Sequence, residues 1–172
     1  ESNLSQNISD QAWMAANECN LILFLVDGSE NLTSEDFEIL SSLRKLNKPF
    51  ITLLNKSDKL SKSEALNDIS SKGIKDFLDI SAEHSRGLDD LKKLLLQMLP
   101  DKTDDEIIDG KKIAVLGRPN AGKSTFINNF IKEDRLVVSE VAGTTIDAIR
   151  IPFTVDDNEF VFIDTAGIRK GY

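Results

Sequence analysis

The sequence predicts a doubly wound α/β fold, in which helices cover both faces of a mostly parallel six-stranded sheet. Six segments have the length of strands, and most are continuous apolar runs, as expected for strands that are buried on both faces. Segments with apolar residues three and four positions apart alternate with these runs and indicate helices. Such alternation is typical of α/β domains.

The predicted elements follow one another along the whole chain. Strands are expected at LILFLVD (21–27), FITLLNK (50–56), FLDIS (77–81), KKIAVLG (111–117), AIRIPF (148–153) and EFVFID (159–164). Helices are expected at about 7–18, 34–46, 63–73, 88–98 and 123–132. Thr33 and Ser34 precede an acidic first turn, which is typical of a helix start. The last two strands flank the turn-rich VDDNE, so we expect a hairpin with an antiparallel edge strand.

Composition restricts the classes of function. The 172 residues are 40% hydrophobic, which suits a domain with a sizeable core. A net charge of -8 argues against direct binding of DNA or of RNA phosphates, since that binding needs clustered Lys and Arg. The longest apolar run is too short to span a membrane, so we expect no membrane partner and a cytoplasmic location. Cys19, the single cysteine, is expected to be a small buried hydrophobe.

One stretch differs in composition from the rest. Residues 101–110 read DKTDDEIIDG, follow Pro100 and end on a glycine before the next predicted strand. An acidic, apolar-poor stretch with this punctuation is typical of a linker. The chain is therefore expected to divide into residues 1–100 and 111–172.

GRPNAGKS (117–124), here called the phosphate loop, matches the pattern G-x-x-x-x-G-K-[ST] between a predicted strand and a predicted helix. Its backbone N–H groups would cradle the α- and β-phosphates of a nucleotide, Lys123 would reach the β- and γ-phosphates, and the Ser124 hydroxyl would bind Mg²⁺. The alternative is a glycine turn with a surface lysine. The residues assigned to nucleotide binding are Gly117, Arg118, Pro119, Asn120, Ala121, Gly122, Lys123, Ser124 and Thr125.

Two further segments offer groups for Mg²⁺ and the γ-phosphate. FVFIDTAG puts Asp164 at a strand end, where a carboxylate can hold Mg²⁺ through water, and Gly167 where its N–H can meet the γ-phosphate. In AGTT (142–145), Thr145 is the candidate for a second protein ligand of Mg²⁺. The alternative for Asp164 is a solvated strand-end carboxylate, and AGTT alone carries little meaning.

NKSD (55–58), here called the base loop, follows a predicted buried strand. Guanine presents N1–H and the N2 amine as neighbouring donors, and the Asp58 carboxylate can accept both, whereas adenine lacks that pair. Asn55 can serve the O6 and N7 edge, and the stem of Lys56 can lie over the base. The alternative is a plain turn.

SAEHSRG (81–87), here called the SA loop, follows the next predicted strand, and we assign Ser81 and Ala82 to base binding, with the Ala82 N–H able to meet O6. In an open α/β sheet, ligands bind outside the carboxyl ends of the strands. The base, SA and phosphate loops all follow strand ends. We therefore expect them to converge on one pocket, although the base motif precedes the phosphate motif along the chain.

With these motifs, the chain resembles the Der (EngA) family of bacterial GTPases, which have two tandem G domains and a C-terminal KH-like domain. Residues 1–100, with LTSEDFEILSSLRKLNKP, NKSD and SAEHSRGLDDL, resemble the back half of the first G domain. Residues 111–172, with GRPNAGKSTFINNF, VVSEVAGTTIDAI and IDTAGIRKG, resemble the front half of the second. The resemblance implies a Ras-like P-loop GTPase fold with the motif order G4-G5-G1-G2-G3, assembled as one composite G domain.

A second resemblance is to the naturally permuted GTPases of the RsgA and YlqF type, whose motifs run in the same order. Those proteins tend to carry DTPG and to lack the paired threonines followed by Asp, so the match to the Der family is more specific. The chain also departs from the Der pattern, because Ala142 stands where proline is usual and Ile146 stands where arginine is usual.

The Der resemblance implies binding and hydrolysis of GTP in the assembly of the large ribosomal subunit, with GTP or GDP and Mg²⁺ bound. Ile168 occupies the position of a water-orienting glutamine, so K⁺ held partly by Asn120 is expected to substitute for an arginine finger. The residues assigned to catalysis are Lys123, Thr145, Gly167 and Asn120. The alternatives are a guanine-nucleotide-binding module without turnover, and pairing of the halves between chains in a swapped homodimer.

Overall fold

The structure, a computed structural model, describes residues 2–59, 62–74, 76–99, 110–119, 121–133 and 149–164. The strands are β1 (Leu21–Asp27), β2 (Phe50–Asn55), β3 (Phe77–Asp79), β4 (Lys111–Leu116), β5 (Ile149–Val155) and β6 (Asn158–Asp164). The helices are α1 (Ser2–Glu18), α2 (Ser34–Lys45), α3 (Lys62–Ser71), α4 (Leu88–Met98) and α5 (Lys123–Glu133), with a short 3₁₀ turn at Ser57–Lys59.

The strands form one sheet in the order β3-β2-β1-β4-β6-β5. All described pairs are parallel except β5 with β6, so the predicted α/β class and the antiparallel edge strand are confirmed. At the centre, β1 pairs with β4 from Leu21 opposite Ile113 to Phe24 opposite Leu116. Strands from both sides of the 101–110 segment therefore belong to the same sheet.

Apolar side chains alternate between the two faces of the sheet and build a core on each. On one face, α1, α2 and α3 pack against Ile22, Phe24, Val26 and Leu54. On the other face, α4 and α5 pack against residues of β1, β2, β4, β5 and β6. The second core includes five phenylalanines, whose contacting rings have centroids 4.3 to 5.9 Å apart: Phe126, Phe130, Phe153, Phe160 and Phe162.

The boundaries of several elements differ from the predicted ones. β3 is shorter than predicted because Ser81 exchanges two backbone hydrogen bonds with Arg86, both of 3.0 Å, and leaves the sheet. α3 ends at Ser71 rather than 73 because Gly73 adopts a positive φ of 74° and the Ile74 N–H closes on the Ile69 carbonyl. α1 begins at Ser2 rather than at about residue 7.

Side-chain hydrogen bonds meet backbone groups at the ends of two helices. Thr33 is the N-cap of α2, where its hydroxyl accepts from the Asp36 N–H and the Asp36 carboxylate accepts from the Thr33 N–H. This capping box confirms the predicted start. At the C-terminus of α1, the Lys48 ammonium donates to the carbonyls of Asn17 and Cys19. Cys19 is buried as predicted, and burial raises the pKa of its thiol.

The carboxyl ends of the parallel strands lie along one edge of the sheet. Asp27, the last residue of β1, is the register partner of Asn55, the last residue of β2. Asp164, the last residue of β6, is the partner of Val115, next to the end of β4. This common edge is where the base and phosphate loops leave the sheet. Among the described helices, none combines the length and the apolar character needed to cross a membrane.

Candidate nucleotide site

Asn55 connects the three loops that leave this edge of the sheet. Its side chain is buried, and its Nδ2 donates to the Ala121 carbonyl of the phosphate loop over 2.9 Å. Its Oδ1 accepts from the Ala82 N–H of the SA loop over 3.0 Å. Sequence analysis assigned both Asn55 and the Ala82 N–H to the edge of the base; here they bind each other. The base loop therefore braces its two neighbours.

The phosphate loop passes so close to other groups that glycine is required at two positions. A Cβ at Gly122, whose φ is +99°, would lie 2.4 Å from Asn55 Nδ2. A Cβ at Gly117 would lie 2.5 Å from the Leu25 carbonyl oxygen. Since real Cβ atoms do not approach this closely, a side chain at either glycine would displace the loop.

Lys123 folds back over the phosphate loop. Its ammonium donates to the Gly117 carbonyl over 2.8 Å, so the cation lies across the loop that begins at that glycine. Lys123 is also the first residue of α5, and the N-terminus of a helix carries positive potential. Backbone N–H groups, an ammonium and a helix N-terminus together make an anion-binding site.

Arg118 ties the phosphate loop to the start of α2. Its Nε donates to Asp36 Oδ1 over 3.0 Å, and its guanidinium also lies 3.8 Å from a Glu30 carboxylate oxygen. Asp36 is buried and is the same residue that closes the capping box. Sequence analysis missed this link. The acidic first turn after Thr33 and Ser34 indicated a helix start, but it contained no signal for a partner 82 positions later.

Lys56 is paired with the end of β1. Its ammonium donates to Asp27 Oδ2 over 2.8 Å, and the other oxygen of Asp27 accepts from the N–H and hydroxyl of Ser29. Burial opposes ionisation of Asp27, but the hydrogen bonds from Lys56 and Ser29 outweigh it and lower the pKa of that carboxyl. The head of Lys56 is thereby fixed beside the strand end, and Asp27 closes a turn through Ser29.

Asp58 lies against the SA loop. Its Oδ1 accepts from the Ser81 hydroxyl over 2.8 Å, and its Oδ2 lies 3.2 Å from His84 Nε2. Asp58 as a whole residue is exposed, and its side chain keeps 20% of its accessible surface. The carboxylate thus accepts from Ser81 and lies beside His84, while part of it still faces solvent.

Comparison with known proteins agrees with these motifs. A family model described as 50S ribosome-binding GTPase matches residues 112–172. GTPase Der of Legionella pneumophila (strain Lens) is 46% identical over 167 residues, which cover 95% of this chain and 36% of that protein. GTPase Der of Geotalea daltonii is 41% identical over 171 residues, 97% of this chain and 38% of that protein. The chain spans little more than a third of these relatives.

The chain is Der-like, with the P-loop GTPase fold. GTPase Der of Stenotrophomonas maltophilia is a further relative, 40% identical over 174 residues that cover 99% of this chain and 37% of that protein. The similarity extends across both sides of the 101–110 segment in all three relatives, since the match covers 95% of the chain or more.

Within the Der-like chain, helix α5 supports the SA loop as well as the phosphate loop. The Asn129 Nδ2 donates to the Ala82 carbonyl over 2.6 Å, so α5 holds the residue whose N–H meets Asn55. Sequence analysis did not find Asn129, because a single polar residue on a helix gives no sign of which loop it will meet.

Some of the remaining predicted site residues belong to the described part of the chain, and the others lie outside it. Pro119, Ser124 and Thr125 are exposed, and the latter two lie in the first turn of α5. The backbone of Asp164 ends β6, beside the strand that leads into the phosphate loop. Asn120, Thr145 and Gly167 lie outside the described residues, as do Ala142, Ile146, Ile168 and most of the predicted linker.

Proposed function

We propose that this chain forms a guanine nucleotide site and that the complete Der-like protein hydrolyses GTP in the assembly of the large ribosomal subunit. The observation that carries the proposal is the Asn55 amide, which joins the base, SA and phosphate loops in one place. The names of the relatives, GTPase Der, and the family description, a 50S ribosome-binding GTPase, support the activity and the partner. A cytoplasmic location belongs to this proposal.

The proposed domain arrangement follows from the same loops. Residues 1–100 correspond to the back half of one G domain with motifs G4 and G5, and residues 111–172 to the front half of another with motifs G1, G2 and G3. Residues 101–110 join them. The pairing of β1 with β4 supports a composite domain with this permuted motif order, because it merges both halves into one sheet.

Base selection in this proposal rests on Asp58. Its two oxygens would accept from N1–H and the N2 amine of guanine, whereas adenine offers no such pair of donors. A site built around such hydrogen bonds can discriminate on the order of 10⁴-fold. Ser81 and the Lys56 stem would flank the base, and Asn55 would keep the loops together or exchange its contacts for the O6 and N7 edge.

Phosphate binding rests on the backbone N–H groups of the phosphate loop. Its glycines carry no side chain that would displace the loop. Lys123 would exchange its contact with the Gly117 carbonyl for the β- and γ-phosphates. The exposed Ser124 hydroxyl, with Thr145 and Asp164, would hold Mg²⁺; the position of Ser124 at the helix start suits an ion bound beside the phosphates. Bound Mg²⁺ would neutralise charge on the phosphate oxygens.

For hydrolysis we propose that Gly167 meets the γ-phosphate and that Asn120 helps to hold K⁺, since Ile168 cannot orient water through a hydrogen bond. Single-turnover hydrolysis with Mg²⁺, in K⁺ and then in Na⁺, tests this. Faster hydrolysis in K⁺ that Asn120→Ser abolishes is the expected result. If Asn120→Ser kept the same difference between K⁺ and Na⁺ as the wild type, Asn120 would not have that role. Binding without hydrolysis would indicate a nucleotide-binding module.

Calorimetric titration of the chain with GDP, GTP and ATP tests the site itself. We expect both guanine nucleotides to bind. ATP should bind at least about 100-fold more weakly, because adenine cannot supply the hydrogen bonds around which the site is built. Lys123→Ala should weaken GTP more than GDP, and Asp58→Asn should transfer preference to xanthosine triphosphate, whose C2 carbonyl can accept from the new amide. Equal affinity for GTP and ATP would refute the proposal.

The oligomeric state decides whether the halves meet within one chain or between two. Light scattering at several concentrations should give the mass of one chain if the composite domain is intramolecular. A dimer that retains one nucleotide per chain would indicate a swapped homodimer with two composite sites.

A further inference from the structure

The Arg118 side chain leaves the phosphate loop and meets two carboxylates. Its Nε donates to Asp36 Oδ1 over 3.0 Å, and its Nη2 lies 3.8 Å from a Glu30 carboxylate oxygen. The Arg118 side chain keeps 17% of its accessible surface and that of Asp36 keeps 2%, so this contact is largely shielded from water. An arginine in a phosphate loop is expected to bind phosphate, whereas this guanidinium is engaged with acceptors of the protein itself.

Asp36 provides a fixed end for the contact. Its second oxygen, Oδ2, accepts from the Thr33 N–H over 2.9 Å and from the Thr33 hydroxyl over 3.1 Å. Its backbone N–H lies 3.3 Å from the same hydroxyl oxygen, which closes the capping box of α2. The carboxylate that Arg118 meets therefore cannot turn without losing hydrogen bonds of the helix cap.

The phosphate loop is held in two places by residues from the other side of the 101–110 segment. Near its start, Arg118 binds α2 through its side chain, and its carbonyl accepts from the Ala121 N–H over 3.2 Å. Further along, the Ala121 carbonyl accepts from Asn55 Nδ2 over 2.9 Å. A loop that binds phosphates through backbone N–H groups gains affinity when those groups are aimed before the ligand arrives, because ordering them on binding costs free energy.

We propose that Asp36 is a positioning residue for the phosphate loop, which holds Arg118 and through it keeps the loop in the shape that receives the β-phosphate of a guanine nucleotide. This inference rests on the proposed nucleotide site. It changes the role of one residue there, since sequence analysis assigned Arg118 to nucleotide binding itself. It also makes phosphate affinity depend on a group outside the three loops.

The alternative is direct contact between Arg118 and the phosphates, and the two roles differ in the sign of one effect. If Arg118 bound phosphate, removing the charge of Asp36 would release the guanidinium and tighten GDP binding. If Asp36 positions the loop, the same change weakens GDP binding, because the guanidinium loses its charged acceptor. Calorimetry therefore compares GDP binding to the wild type, Asp36→Asn, Arg118→Gln and the double variant, at a temperature where urea unfolding shows each to be folded.

We expect each single substitution to raise the dissociation constant of GDP about tenfold, because a charge-assisted hydrogen bond that orders a binding loop is lost. The double variant should differ from the weaker single variant by less than about twofold, since both substitutions break the same link. Arg118→Lys keeps a cation within reach of Asp36 and should recover part of the affinity. Tighter binding in Asp36→Asn, effects that multiply in the double variant, or no effect of either substitution would overturn the inference.

Two exposed glutamates keep the test decisive even if the buried Asp36→Asn variant does not fold. Glu30→Gln removes the second carboxylate near Arg118, and Glu35→Gln removes one from the first turn of α2 as the matched control. Glu35→Gln should change the dissociation constant by less than about twofold. Tighter binding of GDP by Glu30→Gln than by Glu35→Gln would indicate that Arg118 binds phosphate and would overturn the inference. A wild type that did not bind GDP would overturn the proposed function, and this inference with it.

Discussion

The Nδ2 atom of Asn55 lies 2.9 Å from the carbonyl oxygen of Ala121, so a residue at the end of β2 holds the loop that follows β4. The two residues are 66 positions apart and lie on opposite sides of the 101–110 segment. The same amide accepts from the Ala82 N–H, and both hydrogen bonds are buried. The position of the phosphate loop relative to β2 therefore depends on the hydrogen bonds of the Asn55 side chain.

Replacing Asn55 by Asp keeps the acceptor for Ala82 and removes the donor to Ala121. The new carboxylate would face a carbonyl oxygen with no proton between them, so we expect the free energy of unfolding to fall by about 1–3 kcal/mol. Urea denaturation followed by circular dichroism measures this. Asn67→Asp, at an exposed position of α3, is the control and should change stability by less than about 0.5 kcal/mol. Equal effects of the two substitutions would contradict the bracing role.

The contact between Lys56 and Asp27 predicts an acid dependence of stability. Because the pKa of Asp27 in the folded chain lies below its ordinary value of 3.8, the carboxylate stabilises the fold above that value, and the stabilisation is lost as the pH falls through the folded pKa. Asp27→Asn should lower the free energy of unfolding at neutral pH by about 1–2 kcal/mol and flatten its decline in acid.

A double-mutant cycle isolates this pair. The coupling between Asp27→Asn and Lys56→Met, measured by urea unfolding, should be present at neutral pH and disappear well below 3.8. A coupling that persists in acid would show that the two side chains interact through packing rather than charge.

Thr52 offers a stabilising substitution. Its side chain is fully buried on β2, and its hydroxyl has no hydrogen-bond partner in the described structure. Valine has nearly the same shape without the polar atom, so Thr52→Val should raise the free energy of unfolding by about 1 kcal/mol. Thermal denaturation checks this, with Thr154→Val on the exposed side of β5 as the comparison. A loss of stability in the first variant would mean that the hydroxyl has an unseen partner.

Two aspartates form the turn of the hairpin between β5 and β6. Asp156 and Asp157 have positive φ values of 47° and 64°, as in a type I′ turn, whose second position favours glycine. Asp157→Gly should raise stability by about 0.5–1 kcal/mol, since glycine adopts this backbone without strain. Asp157→Asn removes the same charge but keeps the side chain, so a gain of equal size there would assign the effect to charge.

The sequence predicted every described strand and helix, because each one has an apolar pattern that reflects its own burial. Ends such as those of β3 and α3 escaped prediction, since they depend on a bridge from Ser81 to Arg86 and on the backbone of Gly73. Short motifs located the three loops, and the rule that ligands meet strand ends brought them together.

What the motifs did not contain is the set of contacts between loops. Arg118 with Asp36 and Asn129 with Ala82 are pairs that only the folded sheet and its helices bring within reach. The same limit applies to Asn55, whose residue type suits both a base and a carbonyl. Asn55 meets its present partners because the backbone at Gly122 lies very close to its side chain. No local sequence pattern encodes that distance.

The pairing of β1 with β4 has a consequence for folding kinetics. Neighbouring strands β1 to β3 are close along the chain, as are β4 to β6, whereas the hydrogen bond from Lys112 to Asn20 closes a separation of 92 residues. Non-local contacts of this kind form slowly, because a long loop must be ordered before they stabilise anything. Until β1 pairs with β4, the edges of these two apolar strands are unpaired. The chain is most exposed to aggregation during this interval.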